Sequence, residues 1–313
     1  MTVRQESSVR PGVEGSAQPP TPGRRRRSRV HLGPFLLPAA VVCALLCVYP
    51  LVQMARMAVS DVGPANLIGD WAFTGTENVR EVLDTPGFWQ AAKATGIFTA
   101  VLLVVDLTIG YVAAQALARR GRLSSVVLSL MVFVWALPPL VSGSVWKFLL
   151  AGDGAINAVL QTLGLGRVDW LSDPSVALWA VSGVAAWASL PFAILIIRGG
   201  LLSIPTEVLE AAAIDGAGPV RRAVSVVIPL LRPTLMVLVI LVILYAFRSF
   251  DFVYVMTSGG PGTVTTTLPY LAYQEAFKTY SFGTGGAIAS IAMLAVVVLA
   301  IPYVLGVRKE EGS

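Results

Sequence analysis

Three charged residues sit inside long apolar runs, where a charge is hardest to accommodate: Asp106, Arg248 and Asp251. Asp106 is residue 13 of the 25-residue run 94–118, its midpoint. A charge at the centre of a membrane-spanning helix costs about 2.5–3.5 kcal/mol, so such a group should face protein or water. Arg248 and Asp251 stand i, i+3 apart in the run 233–256, close enough on a continuous helix to form an ion pair that lowers the cost of insertion. The same carboxylate and guanidinium can instead edge a polar path and hydrogen-bond the hydroxyls of a solute; the two readings are compatible. Tyr245, Phe252 and Trp187 supply rings able to stack against such a solute, although most aromatic residues in spans simply pack.

Other chemistry is excluded by the inventory. The only histidine is His31, and the two cysteines, Cys43 and Cys47, read as small lipid- or helix-facing residues on one face. No zinc, haem or Cys–His centre can be assembled from them, so no metal and no cofactor of the chain's own is expected. No Gly-x-x-x-x-Gly-Lys-Ser/Thr occurs, and no glycine is followed by lysine. Without a phosphate-cradling loop the chain is expected to hydrolyse no ATP and to be no enzyme.

The segment 202–233 has a different chemical character. It predicts a helix, a glycine break and a second helix. Pro205 suits a first turn, and Thr206 and Glu207 place a capping oxygen and a negative charge at the positive helix end. Ala211, Ala212 and Ala213 give a face without bulk, which another protein can approach closely. Gly216 ends the first helix, and Gly218-Pro219 caps and starts the next. Arg221 and Arg222 then face water or a partner. A compact helical knob of this kind reads as a docking element.

The elements that must hold these residues are six apolar runs: 32–55, 94–118, 123–146, 174–197, 233–256 and 283–307. Each has 24 or 25 residues, and roughly 20 suffice to cross a hydrocarbon core of about 30 Å. Across the chain 55% of residues are hydrophobic and only 13% charged, with a mean hydropathy of +0.74. Soluble domains carry about 25% charged residues, and a water-facing surface cannot be built from half that share. A soluble enzyme, a secreted disulfide scaffold and a nucleic-acid binder are excluded. The expected fold is an all-α membrane protein of six transmembrane helices.

The net charge of +5 is concentrated in residues 1–31, which hold seven arginines and two glutamates among Pro, Gly and Ser. Such a tail is expected to be disordered, to meet anionic membrane lipid and to keep the amino terminus in the cytoplasm. The first run is longer than the apolar core of a cleaved signal peptide and is read as a span. With the amino terminus inside, the inner segments hold sixteen of the 23 Lys and Arg residues, and both termini are then cytoplasmic. The domains are thus a basic tail 1–31, a six-helix transmembrane domain 32–307 with its docking loop at 203–228, and a tail 308–313.

Two outer segments, 56–93 and 147–173, are expected to hold short interfacial helices. In the first, Val79, Val82 and Leu83 form the apolar side; in the second, Ile156, Val159, Leu160 and Leu163 recur at helical spacing. Pro138-Pro139, Pro191 and Pro302 interrupt three spans and predict kinks.

The pattern Glu210-Ala211-Ala212, then Asp215-Gly216-Ala217, then Ile228-Pro229 resembles the EAA loop of ABC-importer permeases. Further stretches are similar to that family: Gly75-x-x-Asn78, Asp84, Phe88-Trp89 and Thr95; Gly154-x-x-Asn157-x-x-Leu160; and Trp170-Leu171-x-Asp173-Pro174. Phe250-Asp251, Tyr254, Thr257 and Gly259-Gly260-Pro261 resemble the first-subunit type of carbohydrate permease in maltose- and glycerol-phosphate-type systems. The resemblance implies a type I ABC importer permease bundle in a bacterial cytoplasmic membrane. It implies a heterodimer with a second permease subunit, two ATP-binding subunits that carry ATP and Mg, an extracytoplasmic solute-binding protein, and a carbohydrate substrate. Glu210, Ala211, Ala212, Asp215, Gly216, Ala217 and Arg221 would form the coupling helix and its turn, with Glu210 making the polar contact. Where relatives carry aromatic residues after the glycine, this chain has Val220 and Ala223, which implies a shallower dock. Asp106, Tyr245, Trp187, Arg248, Asp251 and Phe252 would edge the substrate path. The alternatives are a permease for a glycerol phosphodiester or peptide, or an ion-coupled transporter in which Asp106 titrates.

Overall fold

The computed structural model describes residues 33–118 and 121–311. The basic tail 1–31, residues 119–120 and the last two residues of the expected tail 308–313 lie outside the described residues. The chain divides into two units at Val48. Of the first unit, the described part is α1 (Gly33–Cys43), which runs through Pro38 into a wider-wound turn, Ala44–Val48. Cys43 and Cys47 are both free and exposed there.

The second unit begins with α2 (Tyr49–Ala58) and a two-residue antiparallel ladder, β1 (Ser60–Asp61) with β2 (Ala72–Phe73), the one departure from an all-helical chain among the described residues. Then come α3 (Glu77–Asp84), α4 (Pro86–Leu117), α5 (Arg122–Trp135), α6 (Pro139–Leu149) and α7 (Ala155–Thr162). Next are α8 (Ala177–Ser203), α9 (Thr206–Ile214), α10 (Pro219–Arg222) and α11 (Ile228–Leu230). The remainder is α12 (Arg232–Arg248), α13 (Asp251–Met256), α14 (Leu268–Tyr273) and α15 (Phe282–Glu311).

Five stretches are long and apolar enough to cross a membrane: Ala40–Ala58, Pro86–Leu117, Ala177–Ser203, Arg232–Met256 and Phe282–Pro302. The third expected span, 123–146, is not a straight helix. α5 and α6 meet at 98°. Two adjacent prolines offer no backbone donors, and Pro138 is extended (φ −57°, ψ 133°), so the helix stops and restarts with Pro139 in its first turn. Pro191 and Pro302 are each carried inside a helix instead. The span expected at 94–118 starts eight residues earlier, at Pro86, whose fixed φ suits a first helical position. The run 233–256 is interrupted at Ser249 and Phe250.

α4 and α8 form the centre of the second unit. The buried residues of α4 recur every three or four positions: Phe88, Ala91, Thr95, Phe98, Leu102, Asp106, Gly110 and Ala114. Of these, Phe98, Leu102 and Ala114 join Val181, Ala185, Ile194 and Ile197 of α8 in one cluster, which Leu238 and Val242 of α12 and Phe252 and Val253 of α13 complete. Lipid tails are as apolar as these side chains, so close packing rather than escape from water holds the helices together. Small residues allow it. A Cβ on Gly143 of α6 would lie 2.5 Å from Val255 Cγ1, so only glycine lets α6 cross α13 this closely. A smaller cluster joins α2, α3, the start of α4, α14 and α15 through Ala58, Val82, Phe88, Leu268 and Ile288.

Both expected short helices form. In α3, Val82 is buried and Leu83 is exposed. In α7, Val159 and Leu163 are exposed while Asn157 is fully buried, because that side chain satisfies the backbone around it.

Candidate functional site

The chain leaves α8 through Ile204 and Pro205, both extended, and turns into α9. Pro205 is the N-cap and Thr206 the first helical residue, so Thr206 makes no capping bond. Glu207 still places negative charge in the positive first turn. The helix closes with Gly216 at φ +74°, where Gly216 N–H donates to Ala213 (3.1 Å) and Ala217 N–H donates to Ala212 (3.0 Å). This left-handed closure satisfies the terminal carbonyls and needs glycine for its backbone, since a Cβ there would touch nothing. Gly218 is extended and Pro219 opens α10.

The resulting knob projects its side chains outward. Ala212 packs inward, whereas Glu210, Ala211, Ala213, Asp215 and Arg221 are exposed. So are Ile214, at 86%, and Val220, at 74%. Among the described residues, the side chains of Glu210, Asp215 and Arg221 have no hydrogen-bond or ion-pair partner; the one ion pair there is Arg167–Asp169, at 3.4 Å. Large apolar residues and unpaired charges thus share one surface.

Farther along the bundle, a cavity of about 770 Å³ opens between α2, α4, α5, α8, α12 and α15. Asp106, Ser189, Tyr245 and Arg248 are its main polar groups, and Trp135 and Phe192, stacked at 5.6 Å, form part of an apolar wall. Asp106 is fully buried and accepts a 2.8 Å hydrogen bond from Ser189 Oγ on Oδ2.

Of the residues expected to edge a path, the structure brings Asp106, Tyr245 and Arg248 together on this cavity, but not the other three. Phe252 is fully buried in the main core. Trp187 packs edge-on against Trp146 at 5.3 Å. Asp251 is half-buried outside the lining. The expected Arg248–Asp251 ion pair is absent, because the helix breaks at Ser249 and the two residues share no continuous face. Ser189, Trp135 and Phe192 escaped the sequence reading. Their signal is position beside proline: Trp135 lies just before the Pro138-Pro139 break, and Phe192 follows Pro191. No group of three or more metal-ligating side chains occurs among the described residues.

Loops at the other end of α8 spend their polar groups internally. Asn157 Nδ2 donates to the carbonyls of Ala151 (3.1 Å) and Val168 (2.9 Å). Its Oδ1 accepts from Val168 N–H (3.1 Å) and Trp170 Nε1 (3.3 Å). Asn78 donates to the Ser60 carbonyl at 2.8 Å. Thr95 Oγ1 donates to Ala91 and accepts from Leu268 N–H, both at 2.8 Å. Asp173 accepts from the hydroxyl and backbone N–H of Ser175, which hold its carboxyl below the usual carboxylate range. Gly259 (φ +87°) turns the 257–267 loop, which is tied by Thr257 and Thr265 hydroxyls 2.8 Å apart.

A multi-helix membrane bundle with an exposed helix–glycine–helix knob between two of its spans defines a transporter subunit of the permease class. Residues 106–307 match the family of binding-protein-dependent transport system inner membrane components, and the chain belongs to that family. It is 34% identical over 330 residues to the diacetylchitobiose uptake system permease protein DasB of Streptomyces coelicolor, covering 99% of each chain. It is 32% identical over 270 residues to the trehalose/maltose transport system permease protein MalF of Thermococcus litoralis, covering 86% of this chain and 90% of that one. In fold it is similar to a chain of a bacterial ABC transporter involved in the import of the acidic polysaccharide alginate, with a TM-score of 0.71 at 17% identity over 87% of this chain and 94% of that one.

Proposed function

We propose that this protein is one of two permease subunits of an ATP-binding-cassette importer for a sugar or related carbohydrate. In this reading an extracytoplasmic binding protein delivers the solute, and two separate ATPase subunits, which hold ATP and Mg, dock on the α9–Gly216–α10 knob. The observation that carries the reading is that knob: exposed apolar residues and unpaired charges on a glycine-closed turn between α8 and α12. The chitobiose and trehalose/maltose permeases among its relatives support a carbohydrate, and the family description supports a binding protein.

The roles follow from chemistry. Glu210 supplies a charged acceptor, and Ala211 and Ala213 let the ATPase surface approach closely. Gly216 sets the turn, and Asp215, Ala217 and Arg221 border it. ATP binding draws the knobs of the two permeases together, and α8, 27 residues and about 40 Å long, carries the displacement toward the other end. The cavity beside Tyr245 and Arg248 then changes its side of access. Both termini, including the basic tail, face the cytoplasm of a bacterium.

The test is reconstitution of the whole importer in vesicles with the binding protein outside. ATP-dependent sugar uptake that falls at least tenfold in Glu210→Ala supports the reading. Uptake driven by an ion gradient without ATP overturns it.

A further inference from the structure

The turn between α14 and α15 carries a backbone cost that folding alone does not explain. α14 runs into a wider-wound turn, Gln274–Lys278. The turn closes with Thr279 N–H on the Gln274 carbonyl (3.0 Å) and Ser281 N–H on the Glu275 carbonyl (2.9 Å). Between these two donors Tyr280 sits at φ +60°. This is the left-handed closing position at which glycine or asparagine is usual, and a residue with a Cβ costs about 1–2 kcal/mol there. Among the described residues, only Ser258 shares that burden; the other positive-φ positions are glycines. Tyr280 is not repaid by burial, since it is 56% exposed.

Its neighbours in the turn are also turned outward. Phe277 is 62% exposed, with its ring centroid 5.5 Å from that of Tyr273 and 6.4 Å from that of Phe282. Lys278 is exposed but fixed: Nζ donates to the Tyr270 hydroxyl at 3.0 Å and lies 5.3 Å from the centroid of that fully buried ring. An ammonium has three donors, and Tyr270 takes one. The nearest carboxylate in sequence, Glu275, is engaged by the Thr279 hydroxyl at 2.9 Å. The span Phe282–Pro302 begins two residues after Tyr280. Irregular backbone is not tolerated against hydrocarbon, so the turn lies at headgroup level, where tyrosine and lysine side chains are most at home. We propose that Phe277, Lys278 and Tyr280 form a phospholipid site in the leaflet remote from the knob. The Lys278 ammonium takes the headgroup phosphate, and the two rings flank the glycerol and upper acyl chains. Tyrosine stands where glycine would be easier because its ring completes this site, which fixes the depth of α15.

The test uses the complete importer in vesicles of phosphatidylethanolamine and phosphatidylglycerol, with a photoreactive benzoylphenylalanine in place of Phe277. The expected adduct is a phospholipid. It should fall about tenfold in Lys278→Gln, which removes a charged hydrogen bond, and persist in Lys278→Arg. An equal lipid adduct in Lys278→Gln would mean that bulk lipid merely wets an exposed ring, and overturns the site. So does an adduct with the binding protein or the second permease, or loss of the lipid adduct when inorganic phosphate is added. Tyr280→Gly separates this role from a purely structural one. It is expected to leave the melting midpoint in lipid-free detergent unchanged or raised, while the adduct falls severalfold. A lowered midpoint with an undiminished adduct would show that the tyrosine serves the fold alone, and contradicts the proposal.

Discussion

The two ends of α8 treat their polar side chains in opposite ways. At the α9 end, Glu210, Asp215 and Arg221 are exposed and without partners among the described residues. At the other end, Asn157 alone makes bonds to Ala151, Val168 and Trp170, and Asn78 and Thr95 clasp backbone from distant segments. Both sets lie in stretches that resemble ABC-importer permeases, yet they answer different needs. A polar side chain consumed within its own chain fixes architecture; one left free on a rigid turn is available to another protein. The resemblance alone does not separate these roles, and the hydrogen bonds do.

The sharpest break in that contrast comes from Asn157→Ala. It strands the Val168 N–H and carbonyl and the Trp170 indole together, at a cost of about 3 kcal/mol. The expected outcome is a large loss of thermal stability in detergent, read by tryptophan fluorescence; an unchanged melting midpoint would erase the distinction between the ends. Thr95→Val keeps shape but leaves Leu268 N–H unpaired, and should cost about 1–2 kcal/mol in the same assay. Glu210→Ala belongs to the other class, and its stability should change by less than about 0.5 kcal/mol while uptake falls. The smallest effect concerns Asp173. Its carboxyl is lowered by the Ser175 hydroxyl and N–H, so the stabilisation is present above the unfolded value of about 3.9 and is lost as pH falls through the lowered value. Asp173→Asn should remove only this slight acid-side dependence from a pH series of melting curves, with no change near neutrality.

What could be read from the residues follows the same division. Local rules placed the spans, the knob and the Gly216 turn, because run length, a proline at a helix start and a glycine after its end act within a few residues. The interruption at Pro138-Pro139 was legible too, but not its 98° angle, which depends on where α6 finds α13 through Gly143. In α7 the apolar spacing marks Val159 and Leu163, which are exposed, and does not mark Asn157, which five hydrogen bonds hold inside. The ion pair of Arg248 and Asp251 assumed a continuous helix that Ser249 ends. The cavity joins six helices remote in sequence, so Ser189 and Phe192 had no local mark beyond a neighbouring proline.

The most direct measurement replaces Gly216 by valine in the complete importer and compares retention of the ATPase subunits with the stability of the permease. A β-branched residue at φ +74° strains the turn by about 1–2 kcal/mol, while its Cβ meets no other atom within 4 Å. Loss of the ATPase subunits and of ATP-dependent uptake, with a melting midpoint close to that of the wild type, is the expected result. Full retention of the ATPase subunits with wild-type uptake would contradict the assignment of this knob as the docking element.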